Sequence, residues 1–463
     1  MAKPLLLLPL LAAACFFFLL ASASASAPPV PAAATYTPAT PTHPGAAAGC
    51  YPRLFAFGDS LIDTGNFIHY STAPGPVARS PYGETFFHRP TGRWSDGRLI
   101  VDFVVERLGF PYWTPYLAGK TKEDFRYGAN FAVASGTALN QLLFRKKHLN
   151  VGGITPYSLG VQIGWFKKVL ATLGSTEHVE RLGFPYWTPY GANFAVASAT
   201  ALNQLFFRKK RLDVSGITPY SLGVQIGWFK KVLATLGSTE HERKEIMARS
   251  LFLVGEIGAN DYNHPFFQNK TLDWVKPLVP QVIRSIGLSL ETLIGLGAKT
   301  LYVPGVFPLG CVPRYLFLFR NSTSAAAGDL DPATGCLRWL NDLTSHHNNL
   351  LKAKLAELRR AHPGVSLVYV DYYGEVNDIV SAPTRTGFAP ATVLDACCGG
   401  GGFHNANFTI HCTEPGAVQC TDPSKYVSWD GLHMTEAVYR IMARGILDGP
   451  FAMPPIMSRC KKY

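Results

Sequence analysis

A chain of 463 residues, 47% hydrophobic and 16% charged, is long and apolar enough for a large buried core and too apolar to stay disordered. Its 43 Lys and Arg against 31 Asp and Glu give a formal charge of +12, which suits polyanionic surroundings and equally a solvated basic surface. Lys3 precedes an apolar segment, Leu5 to Leu20, and small residues follow it to Ala27. Residues 1–27 therefore read as a secretory signal peptide, cut near Ala25 or Ala27. The apolar run is short for a membrane anchor and holds Pro9, and no later stretch is long and apolar enough to span a bilayer. Residues 28–49, rich in Pro, Ala and Thr, read as a disordered linker, so a single folded domain is expected over 50–463.

From Cys50 onward, β-type runs alternate with helical patterns. The predicted strands are Leu54–Phe57, Ala129–Ala134, Leu251–Glu256, Thr300–Gly305 and Ser366–Asp371. The predicted helices include Leu99–Leu108 capped by Asp96, Leu159–Leu173, Pro280–Leu296, Leu337–Leu358, and a last one from Thr435 to about Ile446. This alternation predicts an α/β fold with a parallel sheet covered by helices on both faces. A tandem duplication interrupts it: residues 105–178 and 179–241 are two copies. Gly128–His178 recurs as Gly191–His241 with only five changes, among them Gly136 to Ala199. One αβ unit has one place in the sheet, so one copy is expected as an insertion. The second copy also brings a net +4, a third of the charge excess, and no nucleic-acid partner is expected.

Eight cysteines remain beyond the leader: Cys50, Cys311, Cys336, Cys397, Cys398, Cys412, Cys420 and Cys460. An even number in an exported chain predicts up to four disulfides. A zinc site at Cys397, Cys398, Cys412 and Cys420 is the rival, disfavoured because adjacent cysteines make poor tetrahedral ligands. Asn269, Asn321 and Asn407 open Asn-x-Ser/Thr sequons and are possible N-glycosylation sites.

The chemistry centres on Gly58-Asp59-Ser60-Leu61, which puts a serine hydroxyl on the turn after the first strand. Ligands bind at that carboxyl edge in open α/β sheets. A serine needs a base with an orienting carboxylate. Asp430 and His433, three apart in Trp429-Asp430-Gly431-Leu432-His433, can supply both. Oxyanion donors are the third requirement. Gly136 lies just past the second strand and Asn260 just past the third. The first copy, with Gly136, is expected to supply the second-strand donor. The turns after strands one, two and three open on one edge of a parallel sheet, which predicts that Ser60, Gly136 and Asn260 converge.

With these residues in view, the chain resembles the plant secreted GDSL esterases/lipases of the SGNH hydrolase family. FGDSLIDTGN, NFAVASGTAL, FLVGEIGANDYN and WDGLHMTEA carry the resemblance, which runs from about Leu54 to the last helix. It implies a flavodoxin-like α/β/α three-layer sandwich with a parallel five-stranded sheet, and ester hydrolysis without a cofactor or metal. It also implies Ser60 as nucleophile, His433 as base, Asp430 as its orienter and Asn260 as oxyanion donor. The expected protein is a secreted, extracellular monomer of the cell wall space, acting on short acyl esters of polysaccharides or small metabolites. A lipase for longer acyl chains is the alternative, as is an inactive binding relative whose extra copy obstructs the edge at Ser60.

Overall fold

The computed structural model describes residues 50–460 apart from 52, 72–74, 113–114, 116–191, 194, 196–197, 215–216, 237–238 and 322–328. Its centre is a parallel sheet of four strands: β1 (Leu54–Phe57), β3 (Leu251–Val254), β4 (Thr300–Pro304) and β5 (Ser366–Val370). A two-residue strand, β2 (Ala192–Asn193), pairs with β1 on its outer side, giving the order β2-β1-β3-β4-β5. β1 and β3 are apolar and buried along their whole length, as strands covered on both faces must be.

The principal helices are α1 (Ile100–Arg107), α2 (Leu222–Leu236), α3 (Glu240–Arg249), α4 (Ala259–Phe266), α5 (Val279–Gly295), α6 (Pro313–Phe319), α7 (Arg338–Ala361), α8 (Tyr372–Ser381) and α9 (Glu436–Asp448). They associate in two groups, α2 with α5 and α7, and α1 with α8 through α9. Among the described residues, no helix is long and apolar enough to cross a membrane.

The predicted strand Ala129–Ala134 and helix Leu159–Leu173 fall outside the described residues. Their second-copy counterparts occupy β2 and α2, so the second copy supplies the strand that pairs with β1. The copies are identical over the strand (GANFAVAS), so local preference cannot choose between them. Chain continuity distinguishes them: the second copy runs directly through α2 and α3 into β3. Its crossover therefore closes without carrying another copy within it.

Asp96 does not cap α1 as expected. Asp102, in that helix's own first turn, accepts the Leu99 amide at 2.9 Å and is held by both Nε and Nη2 of Arg93. Asp96 instead accepts the Glu436 amide at 2.7 Å, capping α9 from across the fold. The bond ties the loop before α1 to the helix that follows His433.

All eight cysteines are paired, as Cys50–Cys460, Cys311–Cys336, Cys397–Cys420 and Cys398–Cys412. The last two consume the thiols that a zinc site would need. They knit the hairpin of β6 (Cys398–Gly399) and β7 (Val418–Gln419). The Cys397 and Cys398 amides donate to the Ser428 and Trp429 carbonyls, so this hairpin floors the Asp430 loop.

Candidate active site

β1 delivers its carboxyl end to a tight turn. A Cβ on Gly58 would stand 2.9 Å from Ile62 Cδ1, and its φ of 156° is one that side chains disfavour. Asp59 Oδ1 accepts the Leu61 amide, which folds the chain back and leaves Ser60 between them. From the far end of the sequence, the Ser428–His433 loop is closed by Trp429 N–H donating to the His433 carbonyl at 2.7 Å. Inside it, Asp430 Oδ1 accepts the Leu432 and His433 amides. Asp430 Oδ2 lies 2.7 Å from His433 Nδ1, and His433 Nε2 lies 2.8 Å from Ser60 Oγ. A carboxylate only accepts, so Nδ1 carries the proton and Nε2 is left to accept from the serine hydroxyl.

Burial opposes charge on Asp430. The His433 ring, by its charge and its hydrogen bond, together with Arg314 outweighs burial and holds the carboxyl well below the usual range. Tyr82 adds a fourth donor, its hydroxyl 2.8 Å from Asp430 Oδ2. Burial, and then the Asp430 charge, raise the Tyr82 hydroxyl well above its ordinary value, so it stays a donor. Trp94 covers the imidazole with ring centroids 4.9 Å apart.

Asn260 sits in the first turn of α4, one turn after β3. Its Nδ2 donates to Asp59 Oδ2 at 3.1 Å and to the Ala199 carbonyl at 3.0 Å, while its Oδ1 accepts from Asn263 Nδ2. The neighbouring Asp261 accepts the Ala201 and Leu202 amides. The start of α4 therefore grips the second-copy turn that follows β2. Gly136 lies outside the described residues; the position that meets Asn260 is its counterpart, Ala199. Among the described residues, the Ser60 and Ala199 amides donate to nothing.

A hydroxyl, an imidazole and a carboxylate in one relay, with the serine's own amide unspent among the described residues, can carry out acyl transfer. The model of GDSL-like lipases/acylhydrolases matches residues 54–171 and 168–446 of the chain. The chain belongs to the GDSL lipase/acylhydrolase family. It is 40% identical over 412 residues to a GDSL esterase/lipase of Arabidopsis thaliana, covering 89% of this chain and 87% of that one. It is also 40% identical over 413 residues to the sinapine esterase of Brassica napus, covering 89% and 88%. It is thus a carboxylic ester hydrolase.

This GDSL hydrolase buries a second acid beneath the turn. Glu256 faces Asp59, and burial pushes Glu256 up to about 7. Burial, and then the charge of Glu256, raise Asp59 well above its ordinary value. The folded protein therefore keeps a proton on Glu256 that the unfolded chain releases in the ordinary carboxyl range. The resulting stability is full below that range and is lost as pH rises through about 7. Glu256→Gln is expected to remove on the order of 2 kcal/mol of the stability lost between pH 5 and 8. Thermal unfolding of both proteins at the two pH values checks this; parallel pH slopes would place the proton elsewhere.

Tyr82, Trp94, Glu256 and Gln225 escape the sequence reading. Tyr82 and Trp94 lie in an irregular stretch over 300 residues from their partners, where no spacing rule applies. Gln225 does leave a trace: it is a polar residue on the apolar stripe of α2, between Leu222 and Phe229. Of the sequon asparagines, Asn269 and Asn321 are exposed. Asn407 is half-buried, its Oδ1 accepting from both the amide and the hydroxyl of Thr409.

Proposed function

We propose that this GDSL hydrolase is a secreted serine esterase in which Ser60 is the nucleophile, His433 the base and Asp430 its orienter. The observation that carries the reading is the continuous relay from Ser60 Oγ through both imidazole nitrogens to a carboxylate. His433 takes the serine proton as Oγ attacks the ester carbonyl, then gives it to the departing alcohol. Water repeats the sequence to release the acid. Proton transfer leaves an imidazolium facing Asp430 and lying under Trp94, both of which favour positive charge.

The oxyanion donors in this reading are the Ser60 and Ala199 amides, with Ala199 replacing Gly136, and Asn260. Since both Nδ2 hydrogens of Asn260 are engaged, it serves the oxyanion by exchanging its bond to Asp59. The fold is read as a flavodoxin-like three-layer sandwich with five parallel strands, the strand order 2-1-3-4-5 supporting it. The part of the first copy that follows α1 is then an insertion in sequence ahead of β2. Export is supported by the Leu5–Leu20 segment behind Lys3 and by four disulfides.

The test is a p-nitrophenyl ester series from acetate to palmitate, with sinapine included as the substrate named for the Brassica relative. A fluorophosphonate probe is run alongside, with the labelled peptide sequenced. Fastest turnover of short acyl groups and labelling at Ser60 are expected. Preference for palmitate would make it a lipase, and no labelling at Ser60 would overturn the nucleophile.

A further inference from the structure

β1 ends in the sheet at Phe57, whose carbonyl accepts the Gly255 amide at 2.7 Å. Gly58 then leaves the ladder with an amide and a carbonyl that a buried chain must still pair. On the other side, the described pairing with β2 ends at Asn193 opposite Ala56. A side chain fills the place. Gln225 of α2 accepts the Gly58 amide on Oε1 at 2.9 Å and donates from Nε2 to the Gly58 carbonyl at 2.8 Å. In a parallel pair two residues of a neighbouring strand would make these two bonds; here one side-chain amide makes both. The remaining Nε2 hydrogen goes to the Tyr220 carbonyl at 3.2 Å, and the side chain is fully buried. The helix is itself keyed to the strand: Phe229, one turn beyond Gln225, meets Phe55 and Phe57 edge-on at 5.0 and 5.5 Å.

Ser60 follows Gly58 by two residues, so whatever fixes Gly58 fixes the point from which the hydroxyl reaches His433. We propose that Gln225 is a positioning residue for the nucleophile, a side-chain substitute for strand pairing at Gly58 that sets Ser60 Oγ against His433 Nε2, and that this function belongs to the second copy of the repeat. The inference rests on Ser60 being the nucleophile. Gln225 does not touch substrate, so its loss acts on reactivity rather than on binding. A displacement of about 1 Å at a reacting group costs about 100-fold in rate.

The duplication supplies a control inside the chain. Gln162 holds the same position in the first copy, within the same LGVQIGWF segment. In the full-length protein, Gln225→Met is expected to lower kcat by about 10- to 100-fold with KM within twofold. The rate of fluorophosphonate labelling at Ser60 should fall in proportion, while Gln162→Met matches wild type. Wild-type activity in Gln225→Met, or an equal loss in Gln162→Met, overturns the proposal. Failure of wild type to label at Ser60 overturns the nucleophile instead.

Gln225→Glu keeps the inference testable if the methionine variant does not fold. As a carboxylate it holds the Gly58 amide but donates to neither carbonyl; protonated, it regains one donor. Its kcat relative to wild type is expected to rise as pH falls from 8 to 5.5. A flat ratio counts against the substitute for strand pairing, because simple damage to the fold carries no such pH signature.

Discussion

Ser60→Ala is expected to lower kcat for p-nitrophenyl acetate by about a million-fold, and His433→Ala by nearly as much. The double variant should be no worse than either single one. The reason lies in the relay: among the described residues, His433 Nε2 and the Ser60 hydroxyl have each other as their hydrogen-bond partners. Removing either member leaves the other with nothing to do, so the two losses do not multiply. Residual rate should come from the amides at Ser60 and Ala199 and from substrate binding, neither of which needs the hydroxyl. Stability provides the contrast. The serine side chain makes one described hydrogen bond, so its loss should move the unfolding temperature only slightly. Steady-state kinetics and thermal unfolding on the three variants check this. Ser60→Ala activity above about one per cent of wild type would put the nucleophile elsewhere; a multiplicative double variant would mean that the two residues act independently.

Much of this arrangement is legible in sequence because its parts are local. β1, β3, β4 and β5 are short apolar runs ended by turn residues, and they form within a residue or two of the predicted bounds. Asp430 and His433 are three apart on one loop, and Gly58 announces a turn. What could not be read depends on distance. Asp96 stands three residues before Leu99, where a cap belongs, yet it caps α9 because Asp102 already holds the Leu99 amide. The two copies spell the second strand identically, and only the continuation into β3 separates them. Tyr82 meets Asp430 across 348 residues of sequence, and Gln225 meets Gly58 across 167. Each of these residues completes the hydrogen bonding of a group that the sequence does identify. The motifs therefore name the members of the Ser60–His433–Asp430 relay, and the tertiary fold chooses what holds them in line.

Asp430→Asn is expected to lower kcat by about ten-thousand-fold while leaving the loop folded. Asp430 accepts four described donors: the Leu432 and His433 amides on Oδ1, and Tyr82 Oη–H and His433 Nδ1–H on Oδ2. An asparagine keeps its carbonyl under the two amides and turns its NH₂ toward the ring. Nδ1 must then accept, the proton moves to Nε2, and the imidazole can no longer take the Ser60 hydrogen. The catalytic loss is thus one of tautomer rather than of position. Tyr82→Phe, which removes one donor but leaves the carboxylate, should cost no more than about tenfold. The sign of the pH effect follows from the depressed carboxyl of Asp430. Its charge contributes stability that is fully present above the ordinary carboxyl range and lost as pH falls through the folded value. The unfolding temperature of Asp430→Asn should therefore lie furthest below wild type at neutral pH, and the gap should begin to close below about pH 4. A variant keeping more than a tenth of wild-type kcat would mean that Trp94 and the loop backbone orient His433 unaided. A gap that stays constant with pH would mean that the carboxylate acts through packing instead of charge.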